Sequence, residues 1–246
     1  MKEALRSTAE APNVRQEQMR YVATGRVHPE RADVNIPRHS WVGSDGHQII
    51  LTCDSSQLTV VLEDPPVDGF VAAFFMAKQW AQTATAALGF SLATGYSVEL
   101  IQLVEESGDA HVFGVRVPEL MFEPFAPVFA AAVELSTHDV FFRMALVDYS
   151  RALGDELGCA AYCYRAIEAV KSGFGPGEDA QLWALMHRSL GTTRGQVETA
   201  VKAFADPVRH GDWVRLPPTD SAQRAEMLRV TRDVLEKYLR FRQPSA

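Results

Sequence analysis

The stretch HQIILTCDSSQLTVVLED, residues 47–64, decides the fold of the first half of the chain. Two β-rich runs, His47 to Cys53 and Leu58 to Glu63, flank the polar turn Asp54-Ser55-Ser56, which is the pattern of a β-hairpin. Asp64-Pro65-Pro66 ends the hairpin, because proline cannot donate to a sheet ladder. Asp68 is then placed to cap a helix running to about Leu88.

Working outward, MRYVATGRVHPERADVNI (19–36) reads as extended chain with a turn, broken by Gly25 and Pro29. Downstream, Tyr96 to Glu105 and Ala110 to Val117 form two strand-like runs around Ser107-Gly108-Asp109. Hairpin, helix, hairpin is the order of an antiparallel sheet with one helix laid across a face. Residues 1–18 are polar and charged and are expected to form a flexible arm. Pro118, Pro124 and Pro127 then interrupt the chain, so the expected organisation is an α+β domain over 19–118, a connecting segment over 119–135 and a helical domain over 136–246.

The helical half begins with THDVFFRMALVDYSRALGDELGCAAYCYRAIEAVKSGF (137–174), too long for one typical helix and expected to break near Gly154 and Gly158. GFGPGED (173–179) is a loop; its proline lacks the N–H a phosphate cradle would use, and no Lys-Ser/Thr follows. The next helical stretch, 179–211, is interrupted around Gly191 to Arg194. The last starts at Asp220 or Ser221 and places Met227, Val230, Val234, Leu235, Tyr238 and Leu239 at helical spacing.

Composition bounds the functions open to such a chain. With 47% hydrophobic and 22% charged residues over 246 positions, it is globular rather than fibrous or disordered. Net charge is −7, from 24 Lys+Arg against 31 Asp+Glu, so any polyanion site must be a local patch. Three cysteines, Cys53, Cys159 and Cys163, and a polar start without the apolar run of a signal peptide lead to the expectation of a cytoplasmic protein with free thiols. The most apolar stretch, Gly69 to Leu92, carries Lys78, Gln79 and Gln82 and is a poor bilayer span. No G-x-S-x-G, P-loop or G-x-G-x-x-G is present, which removes the commonest hydrolase, NTPase and dinucleotide readings.

Candidate chemistry gathers in the helical half. Cys159 and Cys163 share a helix face, but two sulfurs beside His187 or His138 fall short of a zinc signature and read as core residues, so no metal and no cofactor is expected. Tyr164-Arg165-Ala166-Ile167-Glu168 on one helix, a following helix that ends Phe204-Ala205-Asp206-Pro207-Val208-Arg209-His210-Gly211, and a closing amphipathic helix resemble a HEPN-type helical bundle over roughly residues 138–242. That resemblance implies a compact, often dimeric bundle. Some members are metal-independent RNases of bacterial stress and phage defence, and others are non-catalytic modules binding nucleotides or partners.

The family's catalytic signature is an arginine followed after four to six residues by a histidine. It would need an arginine at Ala203, Phe204 or Ala205, and none is there. What remains is Arg209-His210, an arginine able to stabilise a phosphorane-like transition state beside an imidazole able to exchange protons. Arg165, Glu168 and Asp206 are the expected binding partners of that pair, and the alternative is that Arg209 pairs with Glu168 or another acidic residue across the bundle while His210 caps a carbonyl. Asp206-Pro207 is expected to open a new turn, the Asp capping it, and Gly211 to close it.

Lys237, Arg240 and Arg242 near the last helical turn suit a helix C-terminus, with an RNA contact as the sharper reading. In the β-rich half, His28, Arg31, Arg38, His39 and His47 stand among Glu30, Asp33 and Asp45, either around a ligand or as a solvated rim. The expected function is a non-enzymatic or weakly enzymatic interaction module binding a protein partner, a second copy, RNA or a nucleotide, with no membrane partner. The rivals are a divergent RNase using Arg209 and His210, and a structural accessory subunit.

Overall fold

A computed structural model describes residues 19–43, 45–113, 120–212, 214 and 220–243. The chain divides into two compact units, 1–114 and 115–246. The expected arm over 1–18, the end of the second strand run at Val117 and the boundary at Pro118 lie outside the described residues.

The first unit contains strands β1 (Arg20–His28), β2 (Ile36–Val42), β3 (Gln48–Asp54) and β4 (Gln57–Glu63), helix α1 (Phe70–Leu92), and strands β5 (Ser97–Glu105) and β6 (Ala110–Val112). They form one six-stranded sheet in the order β2-β3-β4-β1-β5-β6, every neighbouring pair antiparallel. The β3–β4 hairpin is closed by Ser55 and Ser56, both left-handed at φ 49° and 64°. Serine pays a steric cost there. The neighbouring chain offsets it: Ser55 N–H donates to Asn35 Oδ1 at 2.9 Å, Ser56 N–H to the Val34 carbonyl at 2.9 Å, and Ser56 Oγ accepts from Val34 N–H at 3.0 Å.

Helix α1 turns Ala73, Ala77, Ala81, Thr85 and Gly89 inward at fourfold spacing. These small residues let it lie close against Leu51, Leu58, Val60, Leu62 and Leu103, all essentially inaccessible. Two expectations are corrected here. The N-cap is Gly69 at φ 82°, with no side-chain cap from Asp68, and the helix runs on past Leu88 to Leu92, where Ala93 in the left-handed region closes it onto the Gly89 carbonyl.

Gly25 does not break the chain either. It lies in mid-strand in β1, which is an inner strand of the sheet, at a register shift against β5 between Thr24 and Gly25. A Cβ on Gly25 would sit 2.1 Å from the Glu99 carbonyl oxygen and 2.8 Å from Leu100 Cα, so glycine is required by close backbone approach rather than by a turn.

The second unit is helical: α2 (Phe125–His138), α3 (Val140–Gly154), α4 (Cys159–Ser172), α5 (Asp179–Leu190), α6 (Arg194–Val197), a π-helical turn (Glu198–Lys202), α7 (Ala203–Arg209) and α8 (Ser221–Arg242). Residues 125–135 of the expected connecting segment are thus the start of α2. The break near Gly154 and Gly158 is present, with Asp155 Oδ1 accepting from Gly158 N–H at 3.1 Å. A further break falls at Asp139, whose carboxylate caps α3 by accepting from Phe142 N–H at 2.9 Å. Helix α8 opens with a capping box between Asp220 and Gln223.

The expected new turn at Asp206-Pro207 is corrected. Pro207 sits inside α7, continuous with α6 through the π turn, which widens the helix one turn ahead of the ring. Gly211 does terminate the helix: at φ 68° its N–H bonds the Val208 carbonyl while Asp212 N–H bonds Pro207, a Schellman closure. The core gathers Phe142, Ile167, Met186, Met227, Leu228 and Tyr238 around α4. All three cysteines are free and buried. Among the described residues no helix is long and apolar enough to cross a membrane, and no group of His, Cys, Asp and Glu is arranged to hold a metal ion.

The Gly25 contact makes a direct prediction. Gly25→Ala forces two central strands apart and is expected to cost about 2–3 kcal/mol, the range of overpacked cores. Thermal melting should fall by about 10 °C or more, while Thr24→Ala, one residue away, stays within a few degrees; equal melting of the two variants would remove the close-approach explanation.

Candidate functional site

The sequence-derived residues separate into two places. Glu168 leaves α4 toward α7, where Arg209 Nη2 lies 3.4 Å from Glu168 Oε2 and Arg209 Nη1 lies 3.8 Å from Asp206 Oδ1. The same guanidinium sits over the Tyr164 ring, 4.8 Å from its centroid. Arg209 is therefore held by two carboxylates and an aromatic face, and it fastens α7 to α4. Lys202 Nζ stands 4.0 Å from Asp206 Oδ2, one helical turn away.

Arg165 is not part of that group. Although it is three residues from Glu168, it leans the other way, onto α3, where its Nη2 lies 3.2 Å from Oδ1 of the buried Asp148 and its guanidinium lies over Tyr162 at 5.7 Å. A buried carboxylate draws a cation more strongly than a half-exposed one, which is why Arg165 goes to Asp148. His210 is the exposed C-cap residue of α7 and makes no side-chain hydrogen bond with another described residue. Of the five residues expected around Arg209 and His210, the structure brings together Arg209, Glu168 and Asp206, while Arg165 and His210 stand apart.

Next to this triad is a cleft of about 450 Å³, which the sequence reading did not find. One wall is aromatic: Trp183 lies near-parallel to Tyr164, centroids 6.0 Å apart, and to His187, 5.7 Å away. Trp183 and His187 are four residues apart on α5, so they share one face, and Ala180 and Ala184 leave the opening beside them. The opposite wall is α6 and the π turn, which present Arg194, Glu198 and Lys202. π turns recur at functional sites because the extra residue redirects side chains out of the regular helical rows.

Charge in the cleft is balanced at one end and open at the other. Lys171, largely buried, pairs with Asp179 at 2.5 Å and lies 5.3 Å from the Trp183 ring; the Lys171 ammonium holds the Asp179 carboxyl below its usual range. Arg194 Nε bonds Glu198 at 2.7 Å. Among the described residues Lys202 pairs only with the distant Asp206 carboxylate and is the most weakly paired cation of the cleft. Burial, then the Glu168 carboxylate, raise the Tyr164 phenol, which stays protonated. His187 Nδ1 shares a 2.8 Å hydrogen bond with Thr192 Oγ1, while its buried Nε2 has no hydrogen-bond partner among the described residues.

Elsewhere, the three basic residues near the chain's last helical turn are engaged: Lys237 with Asp233, Arg240 with Glu236, and Arg242 with the buried Asp139. In the first unit, His28 pairs with Glu99 at 3.3 Å and the rest of the expected rim does not converge on one site. Cys159 and Cys163 are buried in the core, where the neighbouring Cys159 thiol first and burial second push the Cys163 thiol up.

Fold and geometry define a two-unit α+β protein in which an antiparallel sheet unit precedes a helical unit that carries a preformed cleft. Residues 21–113 match the N-terminal domain, and residues 128–243 the C-terminal domain, of the domain of unknown function DUF8168, so the chain belongs to the DUF8168 family. Comparison with curated proteins and with solved structures gives no match.

The wall histidine offers a check on the cleft's electrostatics. Burial first, and the Arg194 guanidinium second, lower the pKa of His187 below its ordinary value. The unfolded chain therefore binds this proton at higher pH than the folded one, and the stability it contributes is present above about pH 6.5 and lost as pH falls through that value toward the folded pKa. His187→Gln is expected to shrink the drop in melting temperature between about pH 7.5 and about pH 5; an unchanged drop would mean that the imidazole is not shielded.

Proposed function

We propose that the helical unit is a non-catalytic ligand-binding module whose cleft takes a mononucleotide or a nucleotide end. The observation that carries this reading is the aromatic wall of Tyr164, Trp183 and His187 facing Lys202, the most weakly paired cation of the cleft, across about 450 Å³. A base is planar and stacks on such a wall at about 1–3 kcal/mol by alanine substitution. A phosphate carries the charge that Lys202 attracts, while Arg194 stays bonded to Glu198 at 2.7 Å. The overall acidity of the chain fits a small anionic ligand met by a few local cations better than a long polyanion.

The finer resemblance to HEPN bundles, with its cytoplasmic and stress- or defence-related setting, belongs to this proposal. Within it the RNase reading ranks second, for a physical reason. Arg209 is matched by Glu168, Asp206 and Tyr164, so using it on a phosphorane would mean breaking the contacts that hold α7 on α4.

The test is a titration of the full chain with AMP and with adenosine, followed by tryptophan fluorescence and calorimetry. AMP should bind saturably and more tightly than adenosine. Trp183→Leu should remove binding of both, and Lys202→Glu should weaken AMP at least about tenfold while leaving adenosine unchanged. Total RNA incubated with the protein in EDTA should remain intact. Absence of AMP binding, or equal AMP affinity in Lys202→Glu, would contradict the proposal, and cleavage lost on Arg209→Ala would establish the RNase instead.

The expected second copy fits the exposed stripe Phe125, Phe129 and Val133 on α2 beside Val140 and Met144 on α3. Glu134 and Arg143 flank it with no ion pair to another described residue, and a two-fold axis would bring each to the other's copy. Sedimentation at micromolar concentration is expected to give a dimer for the wild type and a monomer for Phe129→Glu; a monomeric wild type would exclude this contact.

A further inference from the structure

We infer that the cleft of the helical unit prefers guanine over the other nucleobases and that Asp179 reads the base. The inference rests on the nucleotide reading above and adds base identity to it. Asp179 and Trp183 both line the cleft. They stand four residues apart on α5, so the carboxylate lies one helical turn from the indole on the same helix face. A planar base stacked on the aromatic wall of Tyr164 and Trp183 therefore has a carboxylate beside its edge.

Asp179 is both open and fixed. Its side chain is 73% exposed, and among the described residues its one ion pair is with Lys171 Nζ, 2.5 Å from Oδ1. A carboxylate offers about four lone-pair sites, so Lys171 leaves room for two further N–H donors. Lys171 also holds the carboxylate in place: its side chain is 12% exposed and its ammonium lies 5.3 Å from the Trp183 ring, which ties Asp179 to the indole. The same ammonium holds the Asp179 carboxyl below its usual range, so it is ionised at neutral pH. Glu198, the other carboxylate lining the cleft, stands on the π turn four residues from Lys202, where the phosphate is expected, and is matched there by Arg194.

The edges of the bases decide which one fits. An ionised carboxylate only accepts hydrogen bonds. Guanine sets two donors side by side, the ring N–H and the 2-amino group, and can meet both carboxylate oxygens at once. Adenine and cytosine each place a ring-nitrogen lone pair beside the amino group, and uracil flanks its single N–H with two carbonyls, so the same approach sets lone pair against lone pair. Charge-assisted bonds of the two-pronged kind are stronger than neutral ones and select geometry as well. Water competes at so open a carboxylate, which sets the expected preference at about tenfold.

The experiment titrates GMP, inosine monophosphate and AMP into the full chain by calorimetry near neutral pH. GMP should bind about tenfold more tightly than AMP, with inosine monophosphate, which keeps the ring N–H but lacks the 2-amino group, in between. Asp179→Asn should bring GMP down to the AMP level, because the amide turns an N–H toward guanine's donors, and should leave AMP unchanged. Lys171→Gln breaks the same ion pair but keeps the carboxylate, so the preference for GMP should persist in it. Loss of the preference in both variants would mean that the pair only positions α5, and would overturn the assignment of Asp179 as the reader. Equal affinity for GMP and AMP in the wild type would overturn this inference while the nucleotide reading stood, whereas no binding of any of the three would remove both.

Discussion

The carboxylate of Asp139 is the contact on which the helical unit turns. Its side chain is 1% exposed, and a carboxylate so placed costs several kcal/mol unless its lone pairs are taken up. They are: Oδ1 accepts from Phe142 N–H at 2.9 Å, and Oδ2 accepts from Tyr238 Oη at 2.8 Å and lies 3.1 Å from Arg242 Nη2. One residue thus ends α2 through its backbone N–H, and its side chain starts α3 and ties down the last turns of α8. Tyr238 extends the constraint, since its ring packs on Phe142 and Phe174 and its hydroxyl leaves no room for a Cβ at Gly173. Burial and the Asp139 charge raise the Tyr238 phenol well above its ordinary value, so the proton it donates stays in place.

Helix α4 is caught between these fixed pieces, and its two polar sides follow. Arg165 is committed to Asp148 and α3, while Tyr164 and Glu168 are committed to α5 and α7. The cleft is what remains where α5 and the π turn cannot close over Tyr164. Its walls belong to helices held at both ends, by Lys171–Asp179 at the start of α5 and by the Arg209 triad at the end of α7. A ligand entering it would meet a surface already ordered, which lowers the entropic cost of binding.

The sheet hairpin was legible because residues 47–64 carry both the strand pattern and the turn within one short window. Helix ends at Gly191, Gly211 and Asp220 were legible for the same local reason. Gly25 and Pro207 misled because their roles are set from outside the local chain: Gly25 by the backbone of β5, Pro207 by the preceding π turn. The Arg209–Glu168 contact was readable as one of two alternatives, but nothing in the local spacing revealed that the buried Asp148 would claim Arg165. Trp183 and His187 did carry a signal, two aromatic rings four apart beside small alanines on one helix face. Their meaning depends on Tyr164 and Lys202, which only the packing of α4 and the π turn brings opposite them.

Hydrogen–deuterium exchange of the full chain with and without saturating AMP tests the central claim most directly. Backbone protection is predicted in α5 and in residues 194–202, where the cleft walls lie, with the sheet unit unchanged. Exchange unaltered across both segments, or protection confined to the sheet unit, would contradict a nucleotide site in this cleft.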